Sequence, residues 1–161
     1  MKNLNQLISG YTSQLQQGDI QLAYKGILEY IGKLRADIVK KYPSCDISSI
    51  YQGYMDMSYF SLSTKILKDK GLKIAIVYVH RKGQFEAWLS ARNRGISKQY
   101  EPVFYDRQFD KITVFHDETN MDAIIECILT DKPSFDHQDV LSDIIMKGVE
   151  EFVSAVDDCL I

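Results

Sequence analysis

The chain has 161 residues, of which 45% are apolar and 25% charged, and its formal net charge is −3 at pH 7. These values are typical of one globular domain with a buried core. No apolar run approaches the roughly 20 residues of a membrane span, and the N-terminus does not read as a secretory signal. The three cysteines are an odd number without paired spacing, which favours reduced thiols. We therefore expect a single cytoplasmic domain over residues 1–161 that does not enter a membrane.

The charges are distributed unevenly along the chain. Residues 1–116 carry 17 Lys and Arg against 10 Asp and Glu, a charge of +7, whereas residues 117–161 carry 2 against 12, a charge of −10. The basic part could attract an acidic or phosphate-rich partner, or acidic C-terminal helices could pack on it and offset its charge. A sequence pI near 5.6 disfavours nucleic acid as the partner.

Helices are predicted at both ends of the chain and strands between them. Apolar residues at three- and four-residue spacing predict helices over residues 2–17, 20–41 (with Asp19 as N-cap), 65–70, 96–107, 121–129 and 138–159. Alternation and tyrosine content predict strands over residues 50–61 and 111–115. In the first of these strands, Tyr51, Met55, Met57 and Tyr59 share the parity expected to be buried.

Residues 72–92 read as a β-hairpin, with strand-like runs on both sides of Arg81-Lys82-Gly83. A three-residue loop would place His80 opposite Gln84 and give one wholly apolar face. A two-residue loop would shift the register by one residue and mix the faces. We favour the three-residue loop and expect an α+β fold: a mainly antiparallel sheet of about four strands, covered by helices, with the N- and C-terminal helices packed together.

Four stretches carry a resemblance to known sequences. They are Ser49–Phe60 (Ser-Ile-Tyr-Gln-Gly-Tyr-Met-Asp-Met-Ser-Tyr-Phe), Lys73–His80 and Phe85–Leu89, together with the Gln-x-Gly pattern that leads to Tyr24. The chain resembles a family of uncharacterised bacterial proteins of about this size. The resemblance implies a self-contained domain, and it supplies no catalytic residue because the family has no assigned activity.

The mixed face of the hairpin and its neighbouring strand hold the residues that could form a site. They are polar or aromatic: Tyr54, Asp56, Tyr78, His80, Glu86, Trp88 and Arg92. Trp88 and the tyrosines could stack on a planar ligand while Arg92 holds an anion. We therefore predict a non-enzymatic module that binds a small molecule or a protein, with no cofactor and no metal. A third hypothesis is an oligomeric role, such as a homodimer, which an exposed apolar or tyrosine-rich patch would mark.

The alternative is an enzyme that uses Asp56, His80 and Glu86 for acid–base or metal chemistry. The element order suggests a restriction-endonuclease-like core, hydrolytic or degenerate. That chemistry needs Glu-x-Lys, and here Glu86 is followed by Ala87 and Trp88, so the lysine that would orient a water is missing. The spacing of His80 and His116 gives no support for a metal site.

Overall fold

A computed structural model describes residues 1–161 and shows one six-stranded antiparallel sheet with five helices. The elements in chain order are α1 (Leu4–Gln17), α2 (Asp19–Lys41), β1 (Asp46–Ile47), β2 (Met57–Ser63), α3 (Lys65–Asp69), β3 (Leu72–Val79), β4 (Gln84–Ala91), α4 (Arg94–Phe104), β5 (Val114–Phe115), β6 (Ile125–Thr130) and α5 (Gln138–Leu160). The expected α+β class is confirmed, with six strands in place of about four. None of the five helices combines the length and the apolar character that crossing a bilayer requires.

The strand order is β1-β2-β3-β4-β6-β5, so the predicted hairpin β3–β4 forms the centre of the sheet. One sheet face packs under α2 and α5, and this side holds the main core. Tyr30, Leu34 and Ile38 of α2 are buried there with Ile145 and Phe152 of α5. The two helices also meet directly, since the Tyr30 hydroxyl and Ser142 Oγ lie 2.9 Å apart. Helix α1 is different, because none of its residues is buried.

The hairpin register differs from the expected one by one residue. Val79, and not His80, pairs with Gln84, and the loop His80–Gly83 is closed by the Gly83 N–H donating to the Val79 carbonyl at 2.9 Å. Loops of two and of four residues give the same strand pairing, and the observed loop has four residues. This pairing aligns the bulky residues of both strands on the helix-covered face, where Tyr78 and Phe85 pair and their ring centroids are 4.9 Å apart.

The parity expected for β2 is also reversed. Ser58 and Phe60 are fully buried on the helix-covered side, whereas Met57 and Tyr59 are only partly buried on the other side. The strand begins at Met57, later than expected, because residues 50–56 form a loop with left-handed backbone at Gly53 (φ 77°) and Met55 (φ 64°). At Gly53 a Cβ atom would collide with the Met57 carbonyl oxygen, so glycine is required there.

The helix predicted over residues 121–129 is a strand. Residues Ile125–Thr130 form β6, which pairs with β4 through Trp88 opposite Glu126 and Ala87 opposite Cys127. A short run rich in isoleucine fits helical and strand spacing equally well, and pairing with a buried central strand decides in favour of the strand. This change brings Glu126 onto the same sheet face as Glu86 and Trp88.

Candidate functional site

The sheet face that points away from α2 and α5, here called the open face, carries a second and smaller apolar cluster. Its buried members are Ala75, Val77, Trp88 and Ala123. No helix covers these residues. Instead the loops on either side of the sheet, residues 48–56 and 116–124, form the walls of two pockets, and Trp88 lines both. The open face is therefore the part of the fold on which a ligand could be received.

The first pocket, here called the acidic pocket, has a volume of about 500 Å³. Its lining includes four carboxylates and two basic side chains: Asp56, Glu86, Asp117, Glu126, Arg81 and Lys82. Both glutamates are almost completely buried. The Lys82 ammonium lies 3.6 Å from Glu86 and forms the one ion pair in this pocket.

Glu86 is held by its neighbours on the same strand. Its Oε2 accepts a hydrogen bond from the Gln84 side-chain amide at 2.6 Å, and its Oε1 accepts one from the Trp88 indole at 2.9 Å. Residues 84, 86 and 88 alternate onto one face of β4, which is why this row can form. Because both oxygens are already engaged, Glu86 fixes the orientation of Trp88 and satisfies a buried indole N–H.

Glu126 anchors the loop that separates the two pockets. Its carboxylate accepts the Asp117 backbone N–H at 3.0 Å and the Asn120 side-chain amide at 2.9 Å. Ser90 Oγ also donates to the Asp122 carbonyl at 2.6 Å, so the loop is tied down at two points. Burial raises the pKa of the Glu126 carboxyl, and the hydrogen bonds from Asp117 and Asn120 act in the opposite direction.

The second pocket, here called the basic pocket, has a volume of about 520 Å³ and lies between the open face and the start of α4. Three cations line it, Lys73, Arg92 and Arg94, against the single carboxylate of Asp122. Three aromatic side chains share the lining: Tyr51, Tyr59 and Trp88. The four ion pairs and the side-chain hydrogen bonds of the molecule involve none of the three cations. The pocket thus combines unpaired positive charge with aromatic surface.

The sequence-predicted residues divide into three groups. Trp88 lies between the pockets, with Asp56 and Glu86 on its acidic side and Arg92 on its basic side. Asp56 accepts hydrogen bonds from the backbone N–H groups of Tyr54 and Met57 at 2.9 and 2.8 Å, and these bonds lower the pKa of its carboxyl. The side chain of Tyr54 is 89% exposed and lines neither pocket.

Tyr78 and His80 form the third group, on the helix-covered side of the sheet. The His80 ring stacks on Tyr24 with centroids 5.4 Å apart and meets the Tyr78 ring at 5.0 Å. Its Nε2 lies 2.8 Å from Ser58 Oγ, and that hydroxyl also lies 2.6 Å from the Gln52 carbonyl. Because a carbonyl can only accept, the single hydroxyl proton goes to Gln52 and His80 Nε2 is the donor to Ser58. Burial lowers the pKa of the His80 imidazole.

The alternative hypothesis of acid–base or metal chemistry at Asp56, His80 and Glu86 needs all three groups at one place. Asp56 and Glu86 line the acidic pocket, and His80 does not. The structure holds no group of three or more His, Cys, Asp or Glu side chains arranged to bind a metal ion. The Ser58 hydroxyl is directed at a carbonyl, which is not the arrangement of a serine activated by a histidine base.

Several lining residues were missed from the sequence. Glu126 was assigned to a helix, although the polar residue between Ile125 and Cys127 is also compatible with a strand. Lys73 shares a sheet face with Arg92 only in the observed hairpin register, in which Lys73 pairs with Ser90. Tyr59 and Tyr51 were expected to be core residues. They instead face each other across an isolated bridge, with ring centroids 5.1 Å apart.

Comparison with known families gives one match. The family described as a domain of unknown function, DUF7000, matches residues 4–160. The chain belongs to this family. The match covers nearly the whole chain, which agrees with the expected resemblance to an uncharacterised family. No curated protein and no solved structure matches the chain.

Proposed function

We propose that this DUF7000 protein is a cytoplasmic, non-enzymatic binding module that takes a small anionic ligand with a planar ring in its basic pocket. The observation that carries the proposal is the cluster of three unpaired cations, Lys73, Arg92 and Arg94, in a pocket that contains one carboxylate. Clustered like charges repel each other, and a bound anion would relieve that repulsion. The arginines suit a phosphate or carboxylate because each guanidinium can donate two parallel hydrogen bonds.

The aromatic lining supports a ligand that is flat as well as charged. Tyr51 and Tyr59 lie side by side, and Tyr51 remains exposed at the pocket mouth. Trp88 is held in one orientation by Glu86, so its ring would not have to be ordered on binding. A pre-ordered aromatic surface favours stacking because less conformational entropy is lost when the ligand arrives.

Fluorescence of Trp88 tests this proposal directly, since it is the single tryptophan of the chain. Adenosine 5′-monophosphate, adenosine and inorganic phosphate are titrated separately at low salt. We expect saturable quenching of Trp88 by the monophosphate. Adenosine alone and inorganic phosphate alone should bind more weakly or not at all. Raising the salt concentration should weaken the binding because an exposed charge contact is screened.

A double variant tests the role of the cations. Arg92→Gln with Arg94→Gln should weaken binding of the monophosphate by at least about tenfold, since each charge-assisted contact contributes roughly 1.5–3 kcal/mol. Arg81→Gln is the matched control, because this arginine is exposed on the hairpin loop and lines the other pocket. Unchanged affinity in the double variant, or no saturable response in the wild type, would contradict the proposal.

A further inference from the structure

Helix α1 presents an apolar stripe that nothing in the chain covers. Leu4, Leu7, Ile8 and Tyr11 are between 49% and 69% exposed, and no residue of this 14-residue helix is buried. Leu15, which is half-buried, continues the same stripe at the next four-residue step. A surface helix normally turns such a stripe toward the core. In α1 the stripe faces solvent from Leu4 to Tyr11 and becomes half-buried only at Leu15.

The helix is nevertheless well defined at both ends. Asn3 and Gln6 form a reciprocal capping box, with both side-chain to backbone distances at 2.9 Å. At the other end Gly18 adopts a left-handed conformation (φ 85°) and donates its N–H to the Leu15 carbonyl. Caps alone leave a helix of this length marginal in water, because most helical stability in proteins comes from packing of the apolar face. We therefore expect the apolar stripe of α1 to pack against a binding partner that stabilises the helix.

The charge of α1 indicates which partner fits. Residues 4–17 contain no Lys, Arg, Asp or Glu. A helix that binds nucleic acid or an anionic lipid surface carries cations on its polar face, and α1 carries none. A second copy of α1 fits a helix without charged residues. An isologous contact must be complementary to itself, and two neutral apolar stripes approach each other without repulsion.

We propose that α1 is a dimerisation helix that pairs antiparallel with α1 of a second copy of this chain. Each α1 joins the rest of its chain only at Gly18, so an antiparallel pair puts the two folded bodies at opposite ends, separated by a helix about 21 Å long. The antiparallel arrangement also aligns the two helix dipoles favourably. In the register that centres the stripe, Leu4 lies opposite Leu15 of the second copy and Ile8 lies opposite Tyr11.

The size of the contact sets the strength of the dimer. About five apolar side chains from each copy take part, whereas stable interfaces use about 20–30 residues a side. We therefore expect a reversible dimer whose population rises with protein concentration. The three cations of the basic pocket lie outside α1, so the proposed dimer contact and the proposed ligand site share no residue.

Sedimentation equilibrium of the full chain over a range of about 1–300 μM tests the proposal. We expect a reversible monomer–dimer equilibrium for the wild type, and a monomer at every concentration for Ile8→Lys. Val140→Lys is the matched control, because Val140 is 59% exposed and lies on α5, away from α1. This variant should dimerise as the wild type does. Circular dichroism confirms that each variant is folded. A constant monomer mass for the wild type, or a dimer that Ile8→Lys leaves intact, would overturn the proposal.

A mixing experiment tests the antiparallel register. Tyr11→Glu should also be monomeric alone. An equimolar mixture of Ile8→Lys and Tyr11→Glu should form a heterodimer, because the introduced ammonium and carboxylate then face each other while the native Tyr11 and Ile8 meet at the second position. If the wild type dimerises but the equimolar mixture of the two variants stays monomeric, the antiparallel pairing is overturned.

Discussion

At the scale of single residues, Glu86 links the stability of the fold to the shape of the candidate site. Its two oxygens accept hydrogen bonds from Gln84 and Trp88, and all three residues are largely buried. Loss of a buried acceptor costs more than the net value of the bond, because the donors are left unsatisfied. The orientation of Trp88, which lines both pockets, therefore depends on this one carboxylate.

We predict that Glu86→Leu lowers the free energy of unfolding by about 1–3 kcal/mol, because two buried donors lose their acceptor. Urea denaturation followed by circular dichroism measures the change. Glu29→Leu is the control, since Glu29 is exposed and its Lys25 partner lies 3.9 Å away, and it should change stability by less than about 0.5 kcal/mol. In a Trp88→Phe background the effect of Glu86→Leu should shrink, and equal effects in both backgrounds would refute the role assigned to the indole bond.

His80 makes stability depend on pH. Burial lowers the pKa of its imidazole, so the folded state binds its proton less readily than the unfolded chain does. The unfolding free energy should therefore fall as the pH decreases through the unfolded pKa of about 6.5, where the unfolded chain begins to take up the proton. Asp56 opposes this effect, since its charge favours the imidazolium.

Urea midpoints measured between pH 7.5 and pH 5 test this prediction. The wild type should lose stability over that range more steeply than His80→Gln, which has no titrating ring. The carboxyl of Asp56 has a lowered pKa, so its own contribution is lost only at lower pH and does not enter this window. Identical slopes for the two proteins would show that burial of His80 carries no pH dependence.

At the scale of elements, Gly18 at the junction of α1 and α2 and Gly26 inside α2 have opposite roles. Gly26 lies inside α2, and a Cβ added there would meet no atom within 4 Å. Its position is not explained by close approach of a neighbouring element. Gly18 also has open space around it, but its φ of 85° is a conformation that other residues adopt only with strain.

The same substitution should consequently change stability in opposite directions at these two positions. Gly26→Ala should raise the unfolding free energy by about 0.5–1 kcal/mol through helix propensity, whereas Gly18→Ala should lower it by about 1 kcal/mol through backbone strain. Urea denaturation of the two single variants measures both effects. Stabilisation by Gly18→Ala would mean that the left-handed junction between α1 and α2 is not maintained in solution.

Some elements can be predicted from nearby residues alone, and others depend on contacts between residues far apart in the sequence. Long helices such as α2 and α5 follow from periodicity, because their apolar stripes extend over six turns. The register of β3 and β4 does not, since it depends on which face packs under helices that are distant in sequence. Phe85, which pairs with Tyr78, makes such a contact with Tyr30 of α2, with ring centroids 5.8 Å apart. The strand character of Ile125–Thr130 likewise comes from its pairing with β4.

The candidate site was only partly accessible from sequence for the same reason. Trp88, Glu86 and Arg92 were singled out as polar or aromatic members of a hairpin strand, and all three line a pocket. A three-residue loop predicts Tyr78 and His80 on that face, whereas the observed four-residue loop His80–Gly83 shifts the pairing by one residue and puts both on the helix-covered side. Glu126 could not be included, because its position follows from a strand pairing that local spacing does not specify.

At the scale of the whole molecule, the charge asymmetry of the chain is not removed by direct ion pairs. Of the four ion pairs, one joins the basic and acidic parts of the chain, between Lys41 and Glu150 at 3.0 Å. The cations around the basic pocket therefore remain available to an anion, while the acidic residues of α5 lie on the far side of the sheet. Because the opposite charges lie on different sides of the sheet, the open face can attract anions even though the net charge of the molecule is −3.

The sheet also begins and ends with strands of two residues, β1 and β5. A long exposed edge offers a row of unpaired N–H and carbonyl groups to any extended peptide, and short edge strands remove that template. Residues 46–51 follow the outer side of β2, where the Ser48 N–H donates to the Ser61 carbonyl and Tyr51 forms a bridge with Tyr59. These contacts leave fewer unpaired backbone groups on that edge. The two-residue strand β5 pairs with only Glu126 and Cys127 of β6, so this border offers a shorter template than a full-length edge strand would. The short borders direct attention to the exposed apolar stripe of α1 as a contact between copies of the chain.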